Sequence, residues 1–488
     1  MSGSDLQLLI NGALRPATGG GTYENISPTT GAAIGTAPDA TAADAEEALV
    51  AARRAFDETE WSTNLSLRVR VLRQLDEALR EHEEELNELT IAEVGAPRAS
   101  CSTVQVHEPL DIVNWFADQA ESYEWRTELG ARDTMGGRCN RWIEREPIGV
   151  VAAITPWNVP THINLAKLAP ALAAGCTVVL KPAPDTPWSG LLLGRLLAEN
   201  TDLPAGVVNV LTAADKSFGE LLTTDPRVDM VSFTGSTATG RRVMAAASAN
   251  LTKVFLELGG KSVHLILDDV ADMNAATAFA AFGTAVVCGQ GCALTTRVLI
   301  PRARYDEGVE QIAAMMAMLP VGDPADPSTF MGPLINAAQR DRVEAYVKGA
   351  VEQGATIVCG GKRPADQPDG FFYEATLLAG VTHEMTVARE EIFGPVLVAI
   401  PHDGDEHAIA MANDSIYGLS GAIFSDDPEH AKAVARRIRT GTMSINGGVW
   451  YGPDVPFGGY KQSGLGREMG LAGFEEHLEI KAFAEPAS

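Results

Sequence analysis

From Ile148 onward the chain alternates short apolar runs with windows of helical periodicity. The apolar runs are IGVVAAI, TVVLK, GVVNVL, DMVSF and KVFLE, and the windows between them include THINLAKLAPALAAG, SGLLLGRLLAEN and TATGRRVMAAAS. Continuous apolar runs of this length are typical of parallel strands that are covered on both faces. The alternation therefore predicts a doubly wound α/β sheet with helices on both sides.

A second series of the same kind follows the first. It comprises SVHLIL, RVLIP, ATIVCGG, VLVAIP and GAIFS. This series predicts a second α/β domain, joined to the first near residues 259–261. Residues 42–94 precede both series and read as helices, with leucines at helical spacing and the acidic run REHEEELNE on the opposite face. Such an acidic run indicates a solvated helix face.

The first α/β unit suits a nucleotide, yet G-x-G-x-x-G is absent after its first strand, where the turn reads ITPWNVP. A different glycine pair follows the fourth strand, in FTGSTATGRR. Arg241 and Arg242 stand where a phosphate loop of an NTPase carries Lys-Ser/Thr, so an NTPase is excluded. A strand that leads into a helix N-terminus still offers free N–H groups to a pyrophosphate.

The charge balance excludes several classes of partner. The formal net charge is −26, from 38 basic and 64 acidic residues, and such a surface repels nucleic acid and anionic membranes. The N-terminus lacks the pattern of a signal peptide. The uncharged run at 274–296 contains Gln290 and several glycines, which favours a buried helix and a loop over a membrane span. We therefore predict a cytoplasmic protein.

Six cysteines occur without a C-x-x-C, and the nine histidines show no ligand spacing with them. This pattern predicts neither a disulfide framework nor a metal site. Cys288 and Cys292 stand four residues apart in VVCGQGCALTTR, and Cys292 lies in a glycine-flanked loop just past a predicted helix. A lone cysteine in an apolar segment is more often a core residue than a nucleophile, and this stretch alone leaves both alternatives open.

Three other segments favour the nucleophile. TPWNVP places Asn158 at a helix start, where its amide can serve as an oxyanion donor. LELGGKS delivers Glu257 to an apolar strand end, where a desolvated carboxylate makes a usable base. EEIFGPV adds a carboxylate and an aromatic ring close to a turn.

At this point the chain resembles the aldehyde dehydrogenase superfamily over nearly its whole length. The motifs that carry the resemblance, in the family's order and at its intervals, are PWNVP, LKPAPDTP, FTGSTATG, LELGGKS, GQGC, EEIFGPV, NDSIYGLS and PFGGYKQSGLGREMG. The resemblance implies a Rossmann-like cofactor domain at 1–122 and 147–258, a catalytic domain at 259–468, and a β oligomerisation arm at 123–146 and 469–488.

The resemblance also assigns roles to individual residues. Cys292 is implied as the nucleophile, Asn158 as the oxyanion donor and Glu257 as the base, with Lys167 and Glu468 as a proton relay and Cys288 as packing. The implied cofactor contacts are Thr155, Pro156, Trp157, Lys181, Gly235, Ser236, Leu258, Gly259, Glu391 and Phe393. The implied substrate pocket contains Val159, Ile163, Ala166, Leu294, Trp450, Tyr451 and Phe457.

The implied activity is oxidation of an aldehyde to a carboxylic acid, with NAD as cofactor and NADP as the alternative, in a homo-oligomer (tetramer or dimer). The pocket residues are apolar or aromatic and include no arginine, which favours an apolar or aromatic aldehyde over a semialdehyde. Three family positions differ: Pro184 replaces a glutamate that grips the adenosine ribose, beside Asp185, while Ala238 replaces another glutamate and Val287 an asparagine. Two alternatives stay open, a CoA-acylating relative and a non-catalytic structural protein. Glu257 counts against the first, and the joint presence of nucleophile, donor and base counts against the second.

Overall fold

The computed structural model describes residues 3–487. Its strands are β1 (Leu8–Ile10), β2 (Ala13–Arg15), β3 (Thr22–Ile26), β4 (Ala33–Pro38), β5 (Arg126–Thr134), β6 (Gly137–Pro147), β7 (Val150–Ile154), β8 (Thr177–Lys181), β9 (Val208–Val210), β10 (Met230–Thr234), β11 (Lys253–Glu257), β12 (Val263–Ile266), β13 (Arg297–Pro301), β14 (Thr356–Cys359), β15 (Thr376–Ala379), β16 (Val396–His402), β17 (Gly421–Phe424), β18 (Ser444–Ile445), β19 (Gly464–Leu465) and β20 (Leu478–Pro486). Its α-helices are α1 (Ala42–Glu58), α2 (Leu65–Glu81), α3 (Glu83–Val94), α4 (Arg98–Ser100), α5 (His107–Ser122), α6 (Pro160–Ala174), α7 (Pro187–Asn200), α8 (Phe218–Thr224), α9 (Thr237–Ala247), α10 (Asn274–Ala285), α11 (Tyr305–Ala317), α12 (Ala337–Glu352), α13 (Thr386–Arg389), α14 (Asp405–Asn413), α15 (Pro428–Ala435) and α16 (Gly470–Glu475).

The first large sheet has eight strands in the order β19-β11-β10-β7-β8-β9-β1-β2. The five strands from β11 to β9 pair in parallel and correspond to the five apolar runs of the first series. β7, β8 and β10 are almost wholly buried, and helices α1, α6, α7 and α9 pack against the sheet. The predicted doubly wound α/β architecture is confirmed.

The second large sheet has seven strands in the order β14-β15-β16-β13-β12-β17-β18. Neighbouring strands of this sheet pair in parallel, with the exception of the antiparallel pair β14 and β15. Five of its strands were expected from the sequence, whereas β15 and β18 were not. β18 has only two residues, which is too short for a recognisable pattern. β15 has four residues, as many as β12, β14 and β17, and it was missed although its sequence TLLA is apolar.

The chain passes from the first sheet to the second between Glu257, where β11 ends, and Val263, where β12 begins. Each sheet has its own buried hydrophobic cluster. One C-terminal segment returns to the first sheet, where β19 pairs with the end of β11 in antiparallel fashion (Leu256 opposite Leu465). This return brings the chain around Glu468 back beside the first sheet.

A separate three-stranded antiparallel sheet has the order β20-β6-β5, and β20 pairs with β6 from Leu478 to Pro486. This sheet coincides with the segments expected for the arm. Within the second of those segments, Met469 and Phe474 are buried in the first hydrophobic cluster instead. The domain boundaries remain a prediction, and residues 1, 2 and 488 lie outside the described part of the chain.

All six cysteines are free thiols. Between residues 3 and 487, no cluster of His, Cys, Asp or Glu side chains has the geometry of a metal site. No helix in the same part of the chain combines the length and apolar character that a membrane crossing requires.

Candidate active site

Four neighbouring strands deliver polar groups to one edge of the first sheet. β8 ends at Lys181 and β11 at Glu257, while Thr155 directly follows β7 and Gly235 directly follows β10. These strands are parallel, so their carboxyl ends share an edge, which is where open α/β sheets bind ligands.

A deep cavity of about 1180 Å³ opens at this edge. Three of the five predicted catalytic residues line it: Cys292, Glu257 and Asn158. All of the predicted cofactor contacts line it as well: Thr155, Pro156, Trp157, Lys181, Gly235, Ser236, Leu258, Gly259, Glu391 and Phe393. The structure therefore brings together, in one cavity, residues that lie more than 200 positions apart in the sequence.

Other predicted residues lie elsewhere. Of the predicted substrate contacts, Ile163 lines the cavity, whereas the remainder are outside its lining: Val159, Ala166, Leu294, Trp450, Tyr451 and Phe457. Lys167 and Glu468 are buried behind the lining. Two of the three positions that differ from the family pattern, Pro184 and Ala238, face the cavity together with Asp185.

The end of the cavity beside β10 is built for an anionic group. Ser236 caps α9, and its Oγ accepts a hydrogen bond from the Thr239 amide at 3.2 Å. A Cβ on Gly235 would lie 2.6 Å from the Phe233 ring, so a larger residue would displace that ring. The remaining N–H groups of the first helical turn form the positive end of the helix dipole, which favours a bound phosphate.

Asn158 lies in the turn between β7 and α6. Its Nδ2 donates to the Gln290 carbonyl at 2.8 Å, and its own backbone carbonyl accepts from Gln105 Nε2 at 3.0 Å. The Asn158 amide is thereby fixed against the loop that carries Cys292. Pro160 at the first position of α6 sets where the helix begins.

The loop of Cys292 follows an unusual backbone turn. Val287, Cys288 and Gly289 have φ values of 46°, 53° and 68°, and the helix before them ends at Ala285. A Cβ on Gly289 would lie 2.2 Å from the Gly394 backbone, so only glycine fits between the two segments. Cys288 is buried in the second hydrophobic cluster, in line with a packing role, whereas Cys292 is open to the cavity.

Cys292 and Glu257 both lie in surroundings that disfavour charge. Burial raises the pKa of the Cys292 thiol well above its usual value, and the nearby carboxylates of Glu257 and Glu391 raise it further. Burial also raises the pKa of Glu257 well above that of a free glutamate, and Glu468 adds to this. The Cys292 thiol is the nearby hydrogen-bonding group that lowers the pKa of Glu257, although neither oxygen of Glu257 meets full hydrogen-bond geometry with a partner in residues 3–487.

Lys167 and Glu468 form a buried ion pair behind Glu257. Lys167 Nζ lies 2.9 Å from Glu468 Oε1 and donates to Ser232 Oγ at 3.2 Å. The two charges act on Glu257 in opposite directions, because Glu468 raises its pKa and Lys167 lowers it. The pair therefore sets the protonation of Glu257 without lining the cavity.

The catalytic-domain side of the cavity carries Glu391 and Phe393. Glu391 Oε1 accepts from the Gly260 amide at 2.9 Å, and burial raises the pKa of Glu391 to about 7. The Phe393 ring meets Trp157 edge to face, with centroids 5.3 Å apart. An aromatic floor and a hydrogen-bonding carboxyl thus face the residues of the first sheet across the cavity.

The aromatic residues predicted for the substrate pocket form a cluster of their own. Trp450 stacks on Phe457 at 5.5 Å, and the Tyr451 hydroxyl lies 3.2 Å from His162 Nδ1. His162 was not predicted. Burial lowers the pKa of His162 to about 4, so the imidazole is neutral at physiological pH.

Several cavity residues escaped prediction because they come from helix α12, which has no motif of its own. Arg342 Nη2 donates to the Glu391 carbonyl at 2.7 Å, and Tyr346 OH donates to Glu390 Oε2 at 2.7 Å. Gln339 Nε2 donates to the Phe393 carbonyl at 2.6 Å. These three side chains hold the EEIFGPV segment in place. That motif predicted the segment itself, but it did not indicate which residues contact it.

Two α/β domains, with a nucleotide-sized cleft that contains a cysteine, a carboxyl group and an amide, define the class of protein as an α/β enzyme of the type that binds a nucleotide. The model of the aldehyde dehydrogenase family matches residues 15–483, and the chain belongs to that family. The predicted family and enzyme class are confirmed.

Individual relatives agree over almost their whole length. An aldehyde dehydrogenase of Mycobacterium tuberculosis, solved in complex with NAD+, has a TM-score of 0.94 and 42% identity, with 98% of each chain covered. The betaine aldehyde dehydrogenase of Staphylococcus aureus, also solved with NAD+, has a TM-score of 0.94 and 35% identity, covering 98% of this chain and 94% of that one. The 3-succinoylsemialdehyde-pyridine dehydrogenase of a Pseudomonas species is 40% identical over 464 residues, which are 94% of each chain.

Proposed function

We propose that the protein oxidises an apolar or aromatic aldehyde to its carboxylic acid, with NAD as cofactor and a Cys292 thioester as intermediate. The observation that carries the proposal is the meeting of Cys292, Glu257 and Asn158 in the cavity that also holds the ten candidate cofactor contacts. The NAD+ complexes of similar enzymes support the choice of cofactor.

The cavity fits a dinucleotide. Ser236 and the N-terminus of α9 would hold the pyrophosphate, Lys181 the adenosine ribose, and Glu391 the second ribose, with Phe393 against the nicotinamide. When bound, the cofactor supplies the acceptor for the hydride.

Cys292 acts as the nucleophile in the first half of the reaction. Its thiol loses a proton to the solvent of the open cavity, and Sγ then adds to the carbonyl carbon of the aldehyde. The oxygen gains negative charge and accepts hydrogen bonds from Asn158 Nδ2 and the Cys292 amide, and one such donor contributes about 3–4 kcal/mol. Loss of the hydride from the same carbon leaves a thioester on Cys292.

Glu257 acts as the base in the second half of the reaction, the hydrolysis of the thioester. Its carboxylate removes a proton from a water, the hydroxide adds to the thioester carbon, and the C–S bond breaks to release the acid and the Cys292 thiolate. Burial raises the pKa of Glu257, which makes its carboxylate a better base. Lys167 and Glu468 would pass the proton onward. A carboxyl group placed to activate water favours hydrolysis over transfer to CoA, and the complete set of reactive groups favours catalysis over a structural role.

A cationic aldehyde is the second candidate for the substrate. Burial raises the pKa of the Tyr451 hydroxyl, and the carboxylates of Glu108, Glu468 and Asp111 raise it further, so three carboxylates act on this hydroxyl. Aromatic faces with carboxylates behind them suit a positively charged group. The similarity to a betaine aldehyde dehydrogenase points in the same direction.

A panel of aldehydes separates these candidates. NADH formation would be measured with an aliphatic, an aromatic, a quaternary-ammonium and a carboxylate-bearing aldehyde, each with NAD and with NADP. The proposal expects the highest kcat/KM with the aliphatic or aromatic compound and the lowest with the carboxylate. A preference for the quaternary ammonium would establish the second candidate. Absence of turnover with every aldehyde, despite NAD binding, would overturn the proposed function.

We further propose that the β5-β6-β20 sheet joins copies of this chain into a dimer or tetramer. The sheet exposes apolar side chains that a monomer would leave in water, among them Leu129, Met135 and Ile480. Light scattering at micromolar concentration tests this, and a monomeric mass would refute it.

A further inference from the structure

A second, much smaller cavity lies behind the Gly259–Gly260 turn. Its volume is about 10 Å³, enough for one water-sized particle. Lys261 and Arg297 line it from the second domain, and Tyr417 lines both this cavity and the large one. The small cavity is therefore adjacent to the candidate active site and separate from it.

The Lys261 ammonium has no partner in this cavity. Lys261 is 2% exposed, and its Nζ makes no hydrogen bond within residues 3–487. The nearby carbonyls are engaged by other cations. Arg297 Nη1 donates to the Met411 carbonyl at 3.1 Å, and Lys461 Nζ donates to the carbonyls of Asn413 and Ser415 at 2.8 and 3.1 Å.

The charges around the cavity are mainly positive. Burial lowers the pKa of Lys261 to about 7, with Arg297 adding to the effect and Glu391 opposing it. Burial also lowers the pKa of Arg297 to about 10, with Arg389 adding to the effect and Asp414 opposing it. Two further cations, Lys461 and Arg439, lie close enough to interact with this group. Burial lowers the pKa of Lys461, Arg439 and Arg297 lower it further, and Asp414 opposes them. Lys261 and Arg297 are the two charged residues in the lining of the cavity within residues 3–487, and no carboxylate belongs to that lining, in a chain whose net charge is −26.

We propose that this cavity binds one small monovalent anion of halide size, held by the Lys261 ammonium beside the Arg297 guanidinium. A cation is excluded by the same two groups, and a tetrahedral oxyanion is too large for a space of about 10 Å³. Above the pKa of about 7 the neutral Lys261 amine can be satisfied by a bound water. Below that pKa a water would leave the buried ammonium charge uncompensated, which is costly, whereas an anion compensates it. The inference does not depend on the proposed function.

Bromide replaces chloride and is visible by anomalous scattering, so crystals of the full chain soaked in sodium bromide give a direct test. We expect one anomalous peak within contact distance of Lys261 Nζ. In solution, chloride should raise Tm by about 1–3 °C over an equal concentration of sodium gluconate. The gain should be larger near pH 6 than near pH 8.5, because Lys261 is protonated below its pKa.

Lys261→Met keeps the length of the side chain and removes its charge, and it should abolish both the peak and the chloride effect. Lys348→Met, at an exposed lysine on α12, is the matched control and should retain both. Bromide peaks confined to other surfaces of the wild-type protein, or a peak that survives in Lys261→Met, would overturn the assignment. The wild-type measurements remain decisive even if Lys261→Met does not fold.

Discussion

Cys292 and Cys288 lie four residues apart, yet the backbone gives them different surroundings. Three consecutive residues with positive φ, Val287, Cys288 and Gly289, turn the chain at the first cysteine, and Cys288 is buried in the second hydrophobic cluster while Cys292 opens to the cavity. One sulfur is therefore buried and the other lines the cavity because of this turn. The spacing of the two cysteines in the sequence does not indicate it.

Replacing each cysteine by alanine should separate their roles. Cys292→Ala should lose all aldehyde oxidation, because no other thiol lines the large cavity within residues 3–487. Cys288→Ala should keep most of the activity and lower the free energy of unfolding by about 1 kcal/mol through the small cavity it leaves. NADH formation and urea unfolding measure the two effects. Appreciable turnover by Cys292→Ala would refute the assignment of the nucleophile.

The pH dependence should report on Glu257. A carboxyl group with a raised pKa is protonated, and useless as a base, until the pH exceeds that pKa. We therefore expect kcat to rise with pH along an acid limb that lies well above the pKa of free glutamate. A pH profile of kcat for wild type and Glu257→Gln checks this, since the limb should disappear in the variant. An identical limb in both proteins would assign it to another group.

At the scale of elements, the site depends on segments that meet from distant parts of the sequence. Helix α6 supplies Lys167, and the chain between β19 and α16 supplies Glu468. Pairing of β19 with β11 holds that chain beside the first sheet. The ion pair between Lys167 and Glu468 therefore couples the folding of the C-terminal segment to the electrostatics of Glu257.

Breaking this ion pair should affect stability and chemistry together. Lys167→Met leaves Glu468 buried without its partner, and we expect a loss of about 3–5 kcal/mol in the free energy of unfolding. The acid limb of kcat should also move to higher pH, because Lys167 lowers the pKa of Glu257. The double variant Lys167→Met/Glu468→Gln is the control and should regain most of the stability. A Lys167→Met protein as stable as wild type would contradict the importance of the pair.

The sequence predicted the parallel strands and the catalytic motifs because each is a local pattern. Five apolar runs became the five parallel strands of the first sheet, and Glu257 lies at a strand end as expected. Features created by distant contacts were missed. The pairing of β19 with β11, the cavity residues of α12 and the contact between His162 and Tyr451 each depend on which distant segments meet, and a local pattern does not show this.

At the scale of the whole molecule, net charge bears on the choice of cofactor. The field of a chain with a net charge of −26 disfavours the additional phosphate of NADP. Pro184 weakens this preference for NAD. It faces the cavity at the position where many family members have a glutamate, and that glutamate would repel the additional phosphate. Asp185, which accepts a hydrogen bond from Asn336 Nδ2 at 2.9 Å, is a carboxylate next to Pro184 in the sequence and also lines the cavity.

We expect NAD to be preferred with a modest margin, and Pro184→Glu to widen it by about tenfold, which corresponds to about 1.4 kcal/mol. The ratio of kcat/KM for the two cofactors, at fixed ionic strength, measures this. Equal or better use of NADP by the wild-type enzyme would show that the negative field does not decide the preference.

The most direct test of the proposed chemistry is rapid mixing of Glu257→Gln with aldehyde and NAD, followed by intact-mass spectrometry. Removing the Glu257 charge takes away one cause of the high pKa of Cys292, so the thioester should still form. Hydrolysis should slow by about 10²–10⁴-fold without its base. The account predicts a burst of NADH near one equivalent per site, together with a mass gain of one acyl group that is absent from Cys292→Ala/Glu257→Gln. A normal steady rate with neither burst nor mass gain would contradict it.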